Sequence, residues 1–186
     1  GEWYLDEWGG YTYYGYDCKR VEDGFVELGN SLFYFRNGYA AQNEMFETED
    51  GIYVAASDCA VTRQYDGWLN FKNRFYYVSG NQLVRNCIME IGGSKYAFNS
   101  EGCMYEDGIY WINDSEYDNS CYLITDSGAI VTEQGWKQYY GEWYYVTGDA
   151  TLYQGLLKLG ENMYYLSPSI EYSTFSLAED GNLYLV

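Results

Sequence analysis

Histidine is absent from this sequence. Its absence removes the commonest general base at neutral pH, the commonest metal ligand and the ordinary Ser-His-Asp triad. Basic side chains are scarce: 10 Lys and Arg stand against 28 Asp and Glu, giving a formal net charge of −18. Nucleic-acid binding depends on Lys and Arg neutralising phosphates, so no nucleic-acid partner is expected. Anionic lipids and polymers are repelled by such a surface, and cationic groups are attracted. No apolar run approaches the ~20 residues that span a bilayer, so no membrane insertion is expected. No signal peptide is visible. Proline occurs once. The five cysteines, Cys18, Cys59, Cys87, Cys103 and Cys121, contain no CxxC pair, which leaves zinc and redox sites without support. They are expected to be mostly small buried residues, with no disulfide needed for folding. Cys59 falls where Gly128 stands in the matching repeat. Carboxylates are plentiful, but their positions follow turns and strand exteriors rather than one cleft. The chain is therefore expected to be non-catalytic and to carry no cofactor.

What the chain has in abundance is aromatic side chains and glycine: 25 Tyr, 6 Trp, 8 Phe and 21 Gly. Tyrosine suits a half-buried pleated surface, where the ring packs and the hydroxyl stays wet. Glycine at regular spacing suits tight turns, and together they indicate an all-β chain of short hairpins. The residues also repeat. Gly135-Trp136-Lys137-Gln138-Tyr139-Tyr140-Gly141-Glu142-Trp143-Tyr144-Tyr145-Val146 matches Gly67-Trp68-Leu69-Asn70-Phe71-Lys72-Asn73-Arg74-Phe75-Tyr76-Tyr77-Val78. A partial copy, Gly1-Glu2-Trp3-Tyr4, matches Gly141 to Tyr144.

A second unit lacks Trp and occurs at 25–35, 88–98 and 156–166, with Gly29, Gly92 and Gly160 at a constant distance from Phe35, Phe98 and Leu166. A third opens with Glu-Asp-Gly at 49–51, 106–108 and 179–181, a turn signal before an aromatic strand. The order one, two, three restarts, with Trp3 or Trp8, Trp68 and Trp136 marking three rounds of approximately 1–66, 67–134 and 135–186. The rounds differ in length, and the extra residues are expected in loops such as 112–120 and 167–175. Hairpins of about 20 residues cannot bury both faces alone, so stacking must supply the core. The expectation is one array over residues 1–186, an elongated solenoid of stacked β-hairpin repeats. Adjacent tyrosines such as Tyr13-Tyr14, Tyr76-Tyr77 and Tyr164-Tyr165 should point one ring in and one out.

These repeats resemble the cell-wall-binding repeats of Gram-positive surface proteins, the group of choline-binding modules, glucan-binding repeats and the C-terminal repeats of clostridial toxins. The resemblance rests on the Gly-Trp and Trp-Tyr-Tyr frame of 135–146, its lead-in at 126–136, and the stretch 67–105. It implies a β-solenoid in a segment of a longer surface protein, an extracellular or cell-surface location, and a binding role. The implied partner is a cell-wall polymer, a choline-like group or a glycan. In choline-binding members the ligand sits in an aromatic cage between repeats. Carried over by position, the candidates are Trp136 with Trp143 and Trp68 with Phe75, followed by Tyr145 and Tyr77. The second units place Phe25/Leu32, Ile88/Lys95 and Leu156/Met163 there, so consecutive cages cannot run down the array.

Two readings of the aromatics remain open at this point. In one they face a groove and hold a ligand; in the other they pack against the next hairpin, and the chain is a spacer or protein-interaction segment. A ligand site would leave several of Trp68, Phe75, Trp136 and Trp143 exposed. The spaced acids Asp114, Glu116 and Asp118 resemble the start of a calcium loop. However, Asn119 stands where its glycine belongs and Thr125 where its bidentate Glu belongs, so a solvated loop is expected. Nothing in the sequence indicates an oligomeric state.

Overall fold

The computed structural model describes residues 1–113 and 120–167 with their side chains, and the backbone alone of 114–115, 118–119, Ser176–Glu179 and Asn182–Leu183. The acidic series at 114–118, the third Glu-Asp-Gly at 179–181 and the insertion expected at 167–175 therefore lie outside the fully described residues. Every regular element among the described residues is a β-strand. The chain falls into two compact units, Gly1–Val84 and Arg85–Val186.

The N-terminal unit holds four small antiparallel sheets. Strands β1 (Glu2–Leu5) and β2 (Tyr11–Tyr14) form the first. The second consists of β3 (Gly24–Leu28), β4 (Ser31–Arg36) and the short β5 (Tyr39–Ala40). The third is β6 (Glu44–Thr48), β7 (Gly51–Ala55) and β8 (Val61–Gln64). The fourth is β9 (Gly67–Phe71), β10 (Arg74–Ser79) and β11 (Gln82–Leu83). In the C-terminal unit the hairpins are β12 (Cys87–Ile91) with β13 (Ser94–Phe98), β14 (Gly108–Ser115) with β15 (Asp118–Ile124), and β16 (Gly135–Tyr139) with β17 (Glu142–Val146). Its last sheet runs β18 (Gly155–Leu159), β19 (Asn162–Leu166), β20 (Ser176–Glu179) and β21 (Asn182–Leu183).

The expected stacking is plainest at β14–β15. One face of that hairpin puts Ile112, Tyr122 and Ile124 into a core with Ala97, Ile130 and Ala150. The opposite face puts Ile109, Cys121 and Leu123 into a second core with Tyr144, Val146 and Leu152. Alternate residues of one strand thus feed two cores, because successive side chains point to opposite faces. In the N-terminal unit the hairpin β6–β7 puts Phe46, Tyr53 and Ala55 into one core, packed against Leu32 and Tyr34 of β4. The deepest residue of most hairpins lies at or next to the end of the second strand: Phe35, Ala55, Val78, Phe98, Ile124, Val146 and Leu166 are all buried. Each stands opposite the first residue of its partner strand, which is glycine at Gly24, Gly67, Gly108, Gly135 and Gly155. At Gly135 an added Cβ would meet open space, so glycine is required there by its φ of 124° and not by crowding.

Two kinds of turn reverse the chain. Within hairpins, Lys72-Asn73, Gly92-Gly93 and Tyr140-Gly141 hold positive φ at both central residues, the geometry whose twist matches the flanking strands. Between elements a second loop occurs six times among the described residues. Its first amide donates to the carbonyl four residues on, and its fourth amide donates back to the first carbonyl. The bonds are Asp6 N to Gly10 O, Gly15 N to Lys19 O, Ala56 N to Ala60 O, Asn99 N to Cys103 O, Thr125 N to Ala129 O and Thr147 N to Thr151 O, all 2.9–3.0 Å. The fourth residue of each loop lies in the left-handed region: Gly9, Cys18, Cys59, Gly102, Gly128 and Ala150. The sequence match of Cys59 to Gly128 therefore marks a shared backbone conformation.

Three expectations are corrected. Of the extra residues expected in a loop at 112–120, residues 112–115 and 118–120 lengthen β14 and β15, with a bulge between Asn113 and Ser115. The Glu-Asp-Gly series is not one structural unit. Glu49-Asp50 caps a hairpin tip, whereas Asp107 precedes a hairpin and its amide donates to Thr125 O at 2.8 Å. The same turn chemistry serves both places. Of the cysteines, only Cys59 and Cys121 are buried, while Cys18 is exposed because its loop projects it outward. All five are free thiols. Burial pushes the Cys121 thiol up to about 12. A thiol-specific chromophoric reagent at neutral pH is therefore expected to label Cys18 first and to reach Cys121 only on unfolding, and reductant should leave the thermal midpoint unchanged. Above the ordinary thiol pKa of 9.0 the unfolded chain releases the Cys121 proton while the folded chain keeps it. Stability should accordingly fall as pH rises from about 9 to about 12.

Candidate functional site

The hairpin β16–β17 aligns Trp136 with Tyr145 and Gln138 with Trp143. Directly opposed residues share a face, so all four project from the side opposite buried Tyr144 and Val146. The Trp136 and Tyr145 rings meet edge to face, with centroids 5.4 Å apart and planes at 82°. Tyr164 of β19 reaches the same indole at 5.0 Å and 69°. Trp143 stands two residues along, 49% exposed.

The hairpin β9–β10 repeats this arrangement in the N-terminal unit. Trp68 opposes Tyr77, and Asn70 opposes Phe75. The Trp68 and Tyr77 rings are 5.2 Å apart at 75°, again edge to face. Trp68 is 44% and Phe75 40% exposed. Each of the two hairpins thus brings its Trp and Tyr into contact and sets its second ring, Trp143 or Phe75, apart toward solvent. Trp136 is more covered than the others because Tyr164 lies on it. The tyrosine of each buried-exposed pair divides as expected: Tyr76 and Tyr144 are buried, and Tyr77 and Tyr145 are partly exposed.

Sequence reasoning missed several neighbours. Tyr164 belongs to a pair expected to point one ring in and one out, and only the packing of consecutive hairpins reveals its contact with Trp136. Trp3 is partly exposed over a bed of Tyr13, Phe33 and Phe35, with centroids at 5.2, 5.0 and 5.7 Å. In the second and third sheets, Phe25, Tyr34, Phe46 and Tyr53 form a ring cluster with contacts of 4.7–6.4 Å. That cluster already has a cation on it. The Arg36 guanidinium lies 5.7 Å from the Tyr34 centroid and 5.5 Å from that of Phe46, and pairs with Glu44 at 2.5 Å. Among the described residues of the C-terminal unit, two clefts are lined by polar and aromatic side chains. One of about 500 Å³ is lined by Lys95, Asp149 and Thr151 over Ile88 and Ile130. The other, of about 400 Å³, is lined by Asp107, Tyr110, Tyr139, Tyr140 and Glu142. Among the described residues no group of three or more His, Cys, Asp or Glu side chains is placed to hold a metal ion.

No protein-family model and no curated protein matches the chain by sequence. Solved structures do match it. Choline-binding protein F from Streptococcus pneumoniae is 19% identical, with a TM-score of 0.51 over 81% of this chain and 51% of that one. The modular autolysin LytC from the same organism is 19% identical, with a TM-score of 0.45 over 99% of this chain and 46% of that one. The cell-wall endolysin from phage Cp-1, solved with choline, is 18% identical, with a TM-score of 0.46 over 83% and 39%. The chain spans about half the length of these structures or less. The small antiparallel sheets of the described residues, a recurring Gly-Trp hairpin and the likeness to the first of these structures show that the chain has the β-hairpin repeat fold seen in that structure.

Proposed function

We propose that the chain is a non-catalytic cell-wall- or glycan-binding module, which attaches a secreted or surface protein to its polymer through aromatic faces on its hairpins. The observation that carries this reading is the repeated surface of β9–β10 and β16–β17: an edge-to-face Trp–Tyr pair with a further exposed ring two residues away. An exposed aromatic face can stack on the apolar side of a sugar ring or lie against a quaternary ammonium group, the latter worth about 0.5–2 kcal/mol per contact. The net charge of −18 favours a cationic substituent over an anionic one. Choline-binding protein F carries the name of such a group, and a choline-like group is one candidate for this chain. A spacer with internal aromatics fits Trp136 under Tyr164 but not the exposure of Trp68, Phe75 and Trp143.

The test is titration of the protein with cell-wall polymer, choline, and α- and β-glucans, followed by Trp fluorescence. Trp143→Ala is expected to weaken binding of the positive ligand by about tenfold or more, while leaving the circular dichroism spectrum unchanged, because the side chain is half exposed. Unchanged affinity in the folded variant would remove this site and favour the spacer. A choline-like ligand should lose affinity as salt is added, whereas a neutral sugar should not.

A further inference from the structure

The hairpin β12–β13 departs from the two Trp hairpins where they carry rings. Register makes Ile88 the counterpart of Trp68 and Trp136, Ala97 that of Tyr77 and Tyr145, and Lys95 that of Phe75 and Trp143. Three aromatic side chains are thus replaced by two smaller aliphatic ones and a cation. A cleft of about 500 Å³ opens beside them, in the range of small-molecule sites. Its apolar floor is Ile88, Ile130 and Ala150, the last two buried. Lys95 and Asp149, both exposed, stand in its wall with the hydroxyls of Ser120 and Thr151.

Backbone hydrogen bonds tie together the three segments that build this cleft. The Ile130 amide donates to the Lys95 carbonyl at 2.8 Å, which holds the chain after β15 along β13. The Leu152 amide donates to the Cys121 carbonyl at 2.7 Å, which holds the loop after β17 against β15. Within that loop the Thr147 and Thr151 hydroxyls share a hydrogen bond of 2.9 Å, and the Asp149 amide donates to Thr147 Oγ1 at 3.3 Å. Asp149 is therefore presented from a fixed turn. Lys95 stands opposite Glu90 on its partner strand. Among the described residues, however, neither Lys95 nor Asp149 joins an ion pair, so both charges are available to a ligand.

We propose that this cleft binds a small zwitterion, an aliphatic α-amino acid whose carboxylate meets the Lys95 ammonium, whose own ammonium meets Asp149, and whose side chain lies over Ile88, Ile130 and Ala150. Lys95 disfavours a simple cation, because like charges repel. Asp149 and the net charge of −18 disfavour a simple anion. A molecule that carries both charges and no net charge escapes both penalties. The two charged side chains also fix its orientation, and the apolar floor rewards an aliphatic side chain. Ion pairs at an exposed rim contribute little each, so the expected Kd is about millimolar. The site shares no side chain with the Trp136–Tyr145 or Trp68–Tyr77 faces and does not rest on the reading given to them.

L-Valine is the probe, titrated into isotope-labelled protein while the amide resonances of Ser120, Ala150 and Thr151 are followed. Isovalerate lacks the ammonium group and isobutylamine lacks the carboxylate; each is expected to bind about fivefold more weakly than L-valine. Lys95→Gln and Asp149→Asn should each weaken L-valine binding by about threefold to tenfold. Their circular dichroism should be unchanged, because both side chains are exposed. Ile88→Trp supplies the ring that Trp68 and Trp136 carry and should abolish binding by filling the cleft. Lys158→Gln removes the same charge from an exposed position outside the cleft and should leave binding unchanged. No binding to the wild type, or undiminished binding in either Lys95→Gln or Asp149→Asn, would overturn the proposal. Isovalerate bound as tightly as L-valine would overturn it in favour of a simple anion site, and an equal loss in Lys158→Gln would reduce it to a response to net charge.

Discussion

Phe35→Ala is expected to destabilise the N-terminal unit by about 3–5 kcal/mol, the cost of emptying a buried phenylalanine site. Phe35 has no exposed surface; it is the last residue but one of β4, opposes Gly24 and lies nearly parallel to the Trp3 indole, with centroids 5.7 Å apart. No larger residue stands across the strand to fill the space, so the cavity would persist. The control is Phe25→Ala. Phe25 belongs to the same hairpin but is 38% exposed on the opposite face. Its removal should cost markedly less, since part of the ring is already in water. Urea melts followed by Trp fluorescence measure both, and Trp3 reports the first directly. Equal costs for the two would show that the inward line of strand-ending residues does not carry the core.

That line explains how much of the fold could be read from residues alone. The constant distance from Gly29, Gly92 and Gly160 to Phe35, Phe98 and Leu166 is the length of one strand from its turn to its deepest side chain. Register in a hairpin is fixed by its turn, so a repeated turn–aromatic spacing determines the pairing. The all-β class, the hairpins and the in–out division of the tyrosine pairs follow from this. The candidate surface was legible for the same reason, since Trp136 and Tyr145, and Trp68 and Tyr77, are paired by register.

Contacts made by packing one hairpin on another were not legible. Tyr164 against Trp136 and Arg36 over Tyr34 and Phe46 depend on which faces meet, and no spacing within a unit encodes that. The Glu-Asp-Gly series misled because Asp-Gly states a backbone preference without saying whether the turn lies at the tip or the base of a hairpin.

The sixfold loop provides the sharpest remaining expectation, because the same position should respond to substitution with opposite signs. Gly128 has a φ of 81°, and a Cβ built there would lie 2.2 Å from the end of the Met104 side chain and 3.2 Å from the Tyr105 carbonyl oxygen. The methionine can move, but the backbone oxygen cannot move without disturbing the Tyr105 N to Ala97 O bond of 3.0 Å. Gly128→Ala should therefore cost about 2–3 kcal/mol, combining left-handed strain with crowding. Cys18 occupies the corresponding position of its own loop at a φ of 63°, exposed and without packing to lose. Cys18→Gly relieves the strain, although it adds freedom to the unfolded chain, and should stabilise by about 0.5–1 kcal/mol. Cys59→Gly tests the balance, since Cys59 shares the conformation at a φ of 65° but is buried, so relief of strain competes with a lost side chain. Denaturant midpoints of the three variants decide the matter. A destabilised Cys18→Gly or an unaffected Gly128→Ala would show that the six loops do not share one backbone requirement.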